Sequence, residues 1–248
     1  VETSSVTGIT TDSAVSGGNV TDDGGSEVTA KGLVWGTSPH PTVALSAKTD
    51  SGKGAGQFTG TITGLKPNTL YYVRAYATTS AGTSYGEERS FTTKVALPTM
   101  GNVTASNTTS SSAKLSGSIS SNGGEIPSEV GFYYGTSEDV SSSSSKTVTS
   151  TLSGTAFSAE LSGLTRATKY YFRSYAVNSA GESMSEVGSF VTSTTLATVE
   201  TSSVTKVTTE SAVSGGNVTD DGGSEVTAKG LVWGTSQHPT VALSNKVD

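Results

Sequence analysis

One stretch of sequence occurs three times, at a fixed spacing. Gly32-Leu33-Val34-Trp35-Gly36-Thr37-Ser38 returns as Gly131-Phe132-Tyr133-Tyr134-Gly135-Thr136-Ser137 and again as Gly230-Leu231-Val232-Trp233-Gly234-Thr235-Ser236, each step being 99 residues. The same offset carries Leu65 onto Leu164, Tyr71 onto Tyr170, Gly82 onto Gly181 and Phe91 onto Phe190, with no gap. The repeats therefore run 1–99, 100–198 and 199–248, the third holding the counterpart of only the first half of the others. Residues 1–50 and 199–248 agree at 44 of 50 positions, differing at 8, 9, 12, 39, 47 and 49 of the first copy, whereas the second repeat is far more divergent. A period of this length exceeds the roughly 20–50 residues of helical, leucine-rich or propeller repeats. It matches one small sandwich domain, so the expectation is beads on a string.

Within one repeat no stretch shows a convincing 3.6-residue period. Short alternating runs are separated by Gly, Asn, Asp and Pro, which predicts strands and turns. In the first repeat we place strands near 2–9, 12–21, 27–36, 42–48, 56–63, 69–79 and 84–94. Seven short strands in about a hundred residues predict an all-β fold, a tandem of seven-stranded sandwiches. Alternation puts Ala14, Ser16, Gly18 and Val20 inward on the second strand, and Leu33 and Trp35 inward on the third. It does the same for Phe58 and Ile62 on the fifth and for Tyr71, Val73, Ala75 and Ala77 on the sixth. The sequence contains no Cys, so no disulfide, thiolate metal site or cysteine nucleophile is available. The core must carry the stability alone, each buried large side chain contributing about 1.5–3 kcal/mol.

The run Leu65-Lys66-Pro67-Asn68-Thr69-Leu70-Tyr71 resembles the tyrosine corner of fibronectin type III domains. Tyr72-Val73-Arg74-Ala75-Tyr76-Ala77 resembles their sixth strand, and Asn178-Ser179-Ala180-Gly181-Glu182-Ser183 their turn into the last strand. The buried hydroxyl of a corner tyrosine needs a partner, which backbone just upstream provides. The resemblance therefore implies structural roles for Tyr71 and Tyr170. Fibronectin type III domains usually carry a core Trp on the second strand. Here Gly18, Gly117 and Gly216 hold that place, and a large aromatic stands on the third strand at Trp35, Tyr134 and Trp233. We read this as a volume exchange across the core, with Gly18 under the indole of Trp35. The longer string G-L-V-W-G-T-S-P-H-P-T with Y-Y-V-R-A-Y-A-T-T-S-A-G-T-S-Y-G is similar to tandem fibronectin type III-like repeats of large secreted and surface proteins of Bacteroidota. That likeness covers essentially the whole chain and implies an extracellular, cell-surface setting.

Composition excludes several functions. The net charge is −6, which argues against a basic nucleic-acid face. No run approaches the ~18 apolar residues of a membrane span. A first residue of Val suggests a processed chain or a piece of a longer one. The two histidines, His40 and His238, occupy one loop position in repeats one and three and have no base–orienter partner, so no catalytic site and no enzyme is expected.

Three features merit a functional reading. Asp22-Asp23-Gly24-Gly25, repeated as Asp220-Asp221-Gly222-Gly223, is either a tight turn or a weak calcium site. Two carboxylates fall short of the 6–8 oxygens calcium takes, and the second repeat has Ser121-Asn122 instead, so no cofactor is expected. Tyr72, Arg74 and Tyr76, with Tyr171, Arg173 and Tyr175, should face outward on the sixth strands and form either a glycan- or protein-binding face or simple cross-strand cover. Ser141 through Ser145 is read as a solvated loop. The function expected is a non-catalytic spacer or adhesion array with linkers at 94–99 and 193–198, and the alternative is a binding module using the Tyr/Arg face. Expected partners are neighbouring repeats, a surface glycan or protein, and a continuation beyond 248 or another copy of the chain that completes residues 199–248 by strand pairing or swapping.

Overall fold

The computed structural model describes residues 1–143 and 145–242 and the backbone of 246–247. Ser144 of the five-serine run, and 243–245 and 248 of the third repeat, lie outside the described residues. No helix occurs among the described residues. The chain falls into two compact units, Val1–Gly101 with Ile119–Val130 and Tyr175–Met184, and Asn102–Ser118 with Gly131–Ser174 and Ser185–Asp248. This division does not follow the 99-residue period, because 119–130 and 175–184 of the second repeat belong with the first.

The first repeat forms β1 (Glu2–Thr3), β2 (Ala14–Val20), β3 (Ala30–Gly36), β4 (Gly56–Ile62), β5 (Leu70–Thr79), β6 (Gly82–Tyr85) and β7 (Arg89–Thr92). One antiparallel sheet has the order β1-β2-β4; the other has the order β3-β5-β6, with β7 also on β5. Registers such as Ala14↔Ile62, Gly18↔Phe58, Trp35↔Val73 and Tyr71↔Phe91 put the inward residues of each sheet on one face. Ala14, Leu33, Trp35, Ile62, Leu65, Tyr71, Val73, Ala75 and Phe91 close into one core. This is a fibronectin type III-like β-sandwich, and alternation located its inner faces.

Three details differ from expectation. The expected strand at 84–94 is two pieces, β6 and β7, both paired to β5 and interrupted at 86–88. At the break Gly86 still donates to the Ala75 carbonyl, and it sits so close to β1 that a Cβ there would lie 2.5 Å from the Thr3 hydroxyl. The fourth strand is displaced toward the C-terminus. Residues 47–52 follow the free edge of β3 through the Val34–Lys48 bridge and the bonds Trp35 N to Ala47 O and Lys31 N to Gly52 O. Finally, Gly18 lies against Phe58 and Ala75 rather than under the indole: a Cβ there would be 2.8 Å from the Phe58 ring and 2.6 Å from Ala75. The second repeat does the same, Gly117 facing Phe157 and Ser174. The missing volume is filled from the paired strand, directly opposite in register.

The second repeat supplies β8 (Thr99–Met100), β9 (Thr104–Ser106), β10 (Ala113–Ser121), β11 (Glu129–Gly135), β12 (Lys146–Ser150), β13 (Ala156–Leu161), β14 (Lys169–Asn178), β15 (Gly181–Met184) and β16 (Gly188–Val191). Its sheets are β13-β10-β8 with β9 on β10, and β12-β11-β14-β15 with β16 on β14, the same plan as the first repeat. Here the displaced fourth strand is a full one, β12. Within the second unit Phe132 packs on Phe157 with ring centroids 5.2 Å apart, and Phe172 on Phe190 at 5.8 Å. Residues beyond 197 form two ribbons, β17 (Thr198–Thr201) with β18 (Gly216–Asp220), and β19 (Leu231–Val232) with β20 (Lys246–Val247).

Candidate functional site

The tyrosine corner is built twice. The Lys66 amide donates to the Tyr71 hydroxyl at 3.0 Å, and the Thr165 amide to the Tyr170 hydroxyl at 3.0 Å. A buried threonine just past the last strand ties each corner down. Thr93 Oγ1 accepts from Thr69 N and donates to Lys66 O, and Thr192 Oγ1 does the same with Thr168 N and Thr165 O. Each corner then turns through a left-handed residue, Asn68 at φ 47° and Ala167 at φ 49°. Trp35 and both corner tyrosines are buried, Tyr134 is half-buried, and Trp233 is 49% exposed.

The sixth-strand ladder does not face outward as a whole. Tyr76 and Tyr175 are buried. The Tyr76 hydroxyl donates to Thr49 O at 2.8 Å, because 47–52 runs beside β3 and brings that carbonyl over the sheet face. Gly32 makes the room: a Cβ there would be 2.1 Å from Thr49 O. Burial pushes the Tyr76 phenol up, aided by Asp50 and Tyr85 nearby. The Tyr175 hydroxyl donates to the Glu129 carboxylate. Arg74 donates to Gly86 O at 3.1 Å and lies 4.5 Å from the Tyr85 ring centre. Tyr72, Tyr171 and Arg173 are half-buried, with the Lys169 ammonium over the Tyr171 ring.

The acidic turns use their carboxylates internally. Asp22 Oδ1 accepts from Gly24 N at 2.8 Å and Asp23 Oδ1 from Gly25 N at 2.9 Å, and Asp220 and Asp221 do the same for Gly222 and Gly223. Among the described residues no group of three or more acidic or His side chains is placed to hold a metal.

Two of the three Gly-Gly turns, at 123–124 and 222–223, hold linkers. Inside the first unit, Ala96 N of the linker donates to Gly123 O at 2.9 Å. The Asn68 side-chain amide donates to Gly124 O at 2.8 Å, and that of Asn178 to Ala96 O at 2.7 Å. Gly123 and Gly124 have φ of 71° and 91°. A Cβ on Gly123 would be 1.9 Å from Ala96 O, and one on Gly124 would be 2.8 Å from Asn68 Cβ. Inside the second unit the same joint recurs 99 residues later. Thr195 N donates to Gly222 O at 2.8 Å, a Cβ on Gly222 would be 2.1 Å from Thr195 O, and one on Gly223 would be 2.8 Å from Ala167 Cβ. Arg166, in the place of Pro67, pairs with Asp220. The Gly222 amide and the Arg166 guanidinium hold the Asp220 carboxyl below the usual carboxylate range.

The joint thus consists of a corner loop and a linker from one repeat and a Gly-Gly turn from the next. Sequence reasoning gave the turn but not the joint. The available signal was that Gly123-Gly124 survives in the second repeat where both aspartates are lost. At the third such turn, Gly24 and Gly25 take the same backbone form, and a Cβ on either would meet nothing within 4 Å.

No protein-family model matches the chain, and no curated protein matches it. Among solved structures it is similar to the FN1–FN3 domains of chicken CNTN1, at 17% identity over 78% of this chain and 67% of that one, with a TM-score of 0.32. It is also similar to a segment of two fibronectin type III domains from chicken tenascin, at 16% identity over 76% of this chain and 97% of that one, with a TM-score of 0.40.

Proposed function

We propose that the chain is a non-catalytic spacer from an extracellular repeat array, of the kind found in secreted or surface proteins of Bacteroidota, and that the Gly-Gly turns are its joints. The observation that carries this reading is the repetition of one joint at a 99-residue offset, with backbone bonds from Ala96 to Gly123 and from Thr195 to Gly222. A joint made of main-chain hydrogen bonds and glycines tolerates divergent side chains, as in the second repeat, and still holds each linker. A linker fixed at both flanks transmits position, which is what a spacer must do. Burial of Tyr76 and Tyr175 removes two rings from the alternative binding face.

Trypsin cleavage after Lys94, at the start of the first linker, tests the joint. The expected result is slow cleavage in the native chain and at least a severalfold faster cut in Gly123→Asp, whose side chain collides with Ala96 O. Equal rates would overturn the joint as the function-bearing element. Titration with glycans should show no saturable binding.

A further inference from the structure

The Gly-Gly turn of the first joint differs from the other two in the residue before it. Asn122 stands where the flanking repeats have Asp23 and Asp221, and Asn122-Gly123 is the single Asn-Gly pair of the sequence. Asn122 is exposed and Gly123 is buried. An asparagine before glycine can close on the next backbone nitrogen, because glycine has no Cβ to obstruct the approach and the two groups are already joined in one chain. In the folded chain hydrogen bonds hold every peptide group involved. The Gly123 amide donates to Ser121 Oγ at 3.2 Å, and the Gly124 amide to Asn122 Oδ1 at 2.9 Å. Asn122 O accepts from the Asn178 side-chain amide at 3.2 Å. Gly123 O accepts from Ala96 N, and Gly124 O from the Asn68 side-chain amide.

We propose that Asn122 is a self-modification site gated by the joint: when the linker leaves the turn, Asn122 deamidates, and one of the two products keeps the joint open. The Gly123 nitrogen loses its proton to hydroxide or a buffer base and attacks Asn122 Cγ. The new N–C bond forms, the Cγ–Nδ2 bond breaks, and Nδ2 takes up a proton and leaves as ammonia, giving a five-membered succinimide. Water then opens the ring. Attack at Cγ gives aspartate, and attack at the Asn122 main-chain carbonyl carbon gives isoaspartate; water is consumed, ammonia is released, and nothing is oxidised or reduced. Closing the ring swings the 122–123 peptide about the Asn122 Cα. That motion breaks the bond from Asn178 and pulls Gly123 O away from Ala96 N, so the reaction runs through the open joint. The aspartyl product fits the closed joint, because Asp23 and Asp221 make the same turn, with Oδ1 accepting from Gly25 N at 2.9 Å and from Gly223 N at 2.7 Å. The isoaspartyl product does not fit. It adds a backbone carbon beside Gly123, where even a Cβ would lie 1.9 Å from Ala96 O. This chemistry rests on the joint and is independent of what the array spans.

Ageing the full chain at mildly alkaline pH and following tryptic peptide 115–146 by mass spectrometry, with the aspartyl and isoaspartyl forms separated, tests the gate. Asn122 is expected to convert about tenfold or more slowly in the native chain than in urea. Asn68→Gly keeps the left-handed φ at the corner and removes the amide that holds Gly124 O, and should speed conversion severalfold. Trypsin cleavage after Lys94 reads the joint separately. The purified isoaspartyl form should be cut severalfold faster there than the fresh chain, and Asn122→Asp as slowly as the fresh chain. Conversion in the native chain at the urea rate, with slow cleavage after Lys94, would overturn the gate while leaving the joint in place. Unchanged conversion in Asn68→Gly would overturn it as well. An isoaspartyl form cut as slowly as the fresh chain would contradict its misfit, and fast cleavage of the fresh chain would remove the joint and the gate together.

Discussion

Residues 1–44 and 199–242 are close to a natural controlled experiment. Their sequences differ at only four positions, 8, 9, 12 and 39 of the first copy, yet one has a buried core and the other an open face. Local propensity and alternation are therefore the same in both, and neither distinguishes them. What differs is the presence of β4, β5 and the corner against 1–44. The hydrophobic pattern of a half-sandwich specifies which face is inner, but burial comes from the opposing sheet. The turns differ too: a Cβ on Gly24 or Gly25 would meet nothing within 4 Å, whereas one on Gly222 would meet the Thr195 carbonyl oxygen, whose amide bonds Gly222 O.

The largest effect that sharpens this contrast is in the core. Leu33→Ala, at a fully buried site, should cost about 2–5 kcal/mol in the transition of the first repeat, read by urea unfolding. Leu231→Ala, the same substitution on the open face, should change the unfolding curve by less than about 1 kcal/mol. Equal costs would break the comparison.

Next is the corner. Tyr71→Phe leaves the Lys66 amide without its acceptor and should destabilise the first repeat by about 1–3 kcal/mol. Amide exchange within 199–242 should not respond.

The extent to which the fold is legible in the sequence follows from what each feature depends on. The inward-facing alternation on β2 and β5 and the corner tyrosines are local patterns, and the structure matches them. The break between β6 and β7 depends on Gly86 approaching Thr3, more than eighty residues away in sequence, and has no local signature. Burial of Tyr76 depends on where 47–52 settles, and the expected strand at 42–48 puts that segment too early. The partner of Gly18 differs from expectation because volume is matched across the registered neighbour Phe58 and not between Gly18 and the third strand. The joint is invisible as a site because its donors and acceptors are main-chain groups, which any sequence possesses. Only the persistence of Gly-Gly marks it.

The turns give a third, smaller test. Gly24 and Gly222 both have positive φ, so an alanine at either incurs about 1 kcal/mol of backbone strain. Gly222→Ala must in addition displace Thr195 O, whereas Gly24→Ala meets open space. The Thr195 amide should therefore lose protection from exchange in Gly222→Ala and keep it in Gly24→Ala.

The smallest effect is electrostatic. The carboxyl of Asp220 titrates below the ordinary range in the folded chain. Its contribution to the second joint is thus present above the unfolded-state value and is lost as pH falls through the depressed folded-state value. Arg166→Gln should raise that midpoint, followed by the carboxyl carbon shift of Asp220 or by the Gly222 amide. An unchanged midpoint would remove Arg166 from the joint.

The central claim is that nearly identical sequence is a closed core in one place and an open face in the other. Native-state amide hydrogen exchange on a single sample measures it directly, because Leu33, Val34 and Trp35 share their neighbours, and hence their intrinsic exchange rates, with Leu231, Val232 and Trp233. The account predicts that the first set exchanges about a thousandfold or more slowly than the second, as expected when one set opens only with its domain and the other by local fluctuation. Matching protection at the two sets would contradict it.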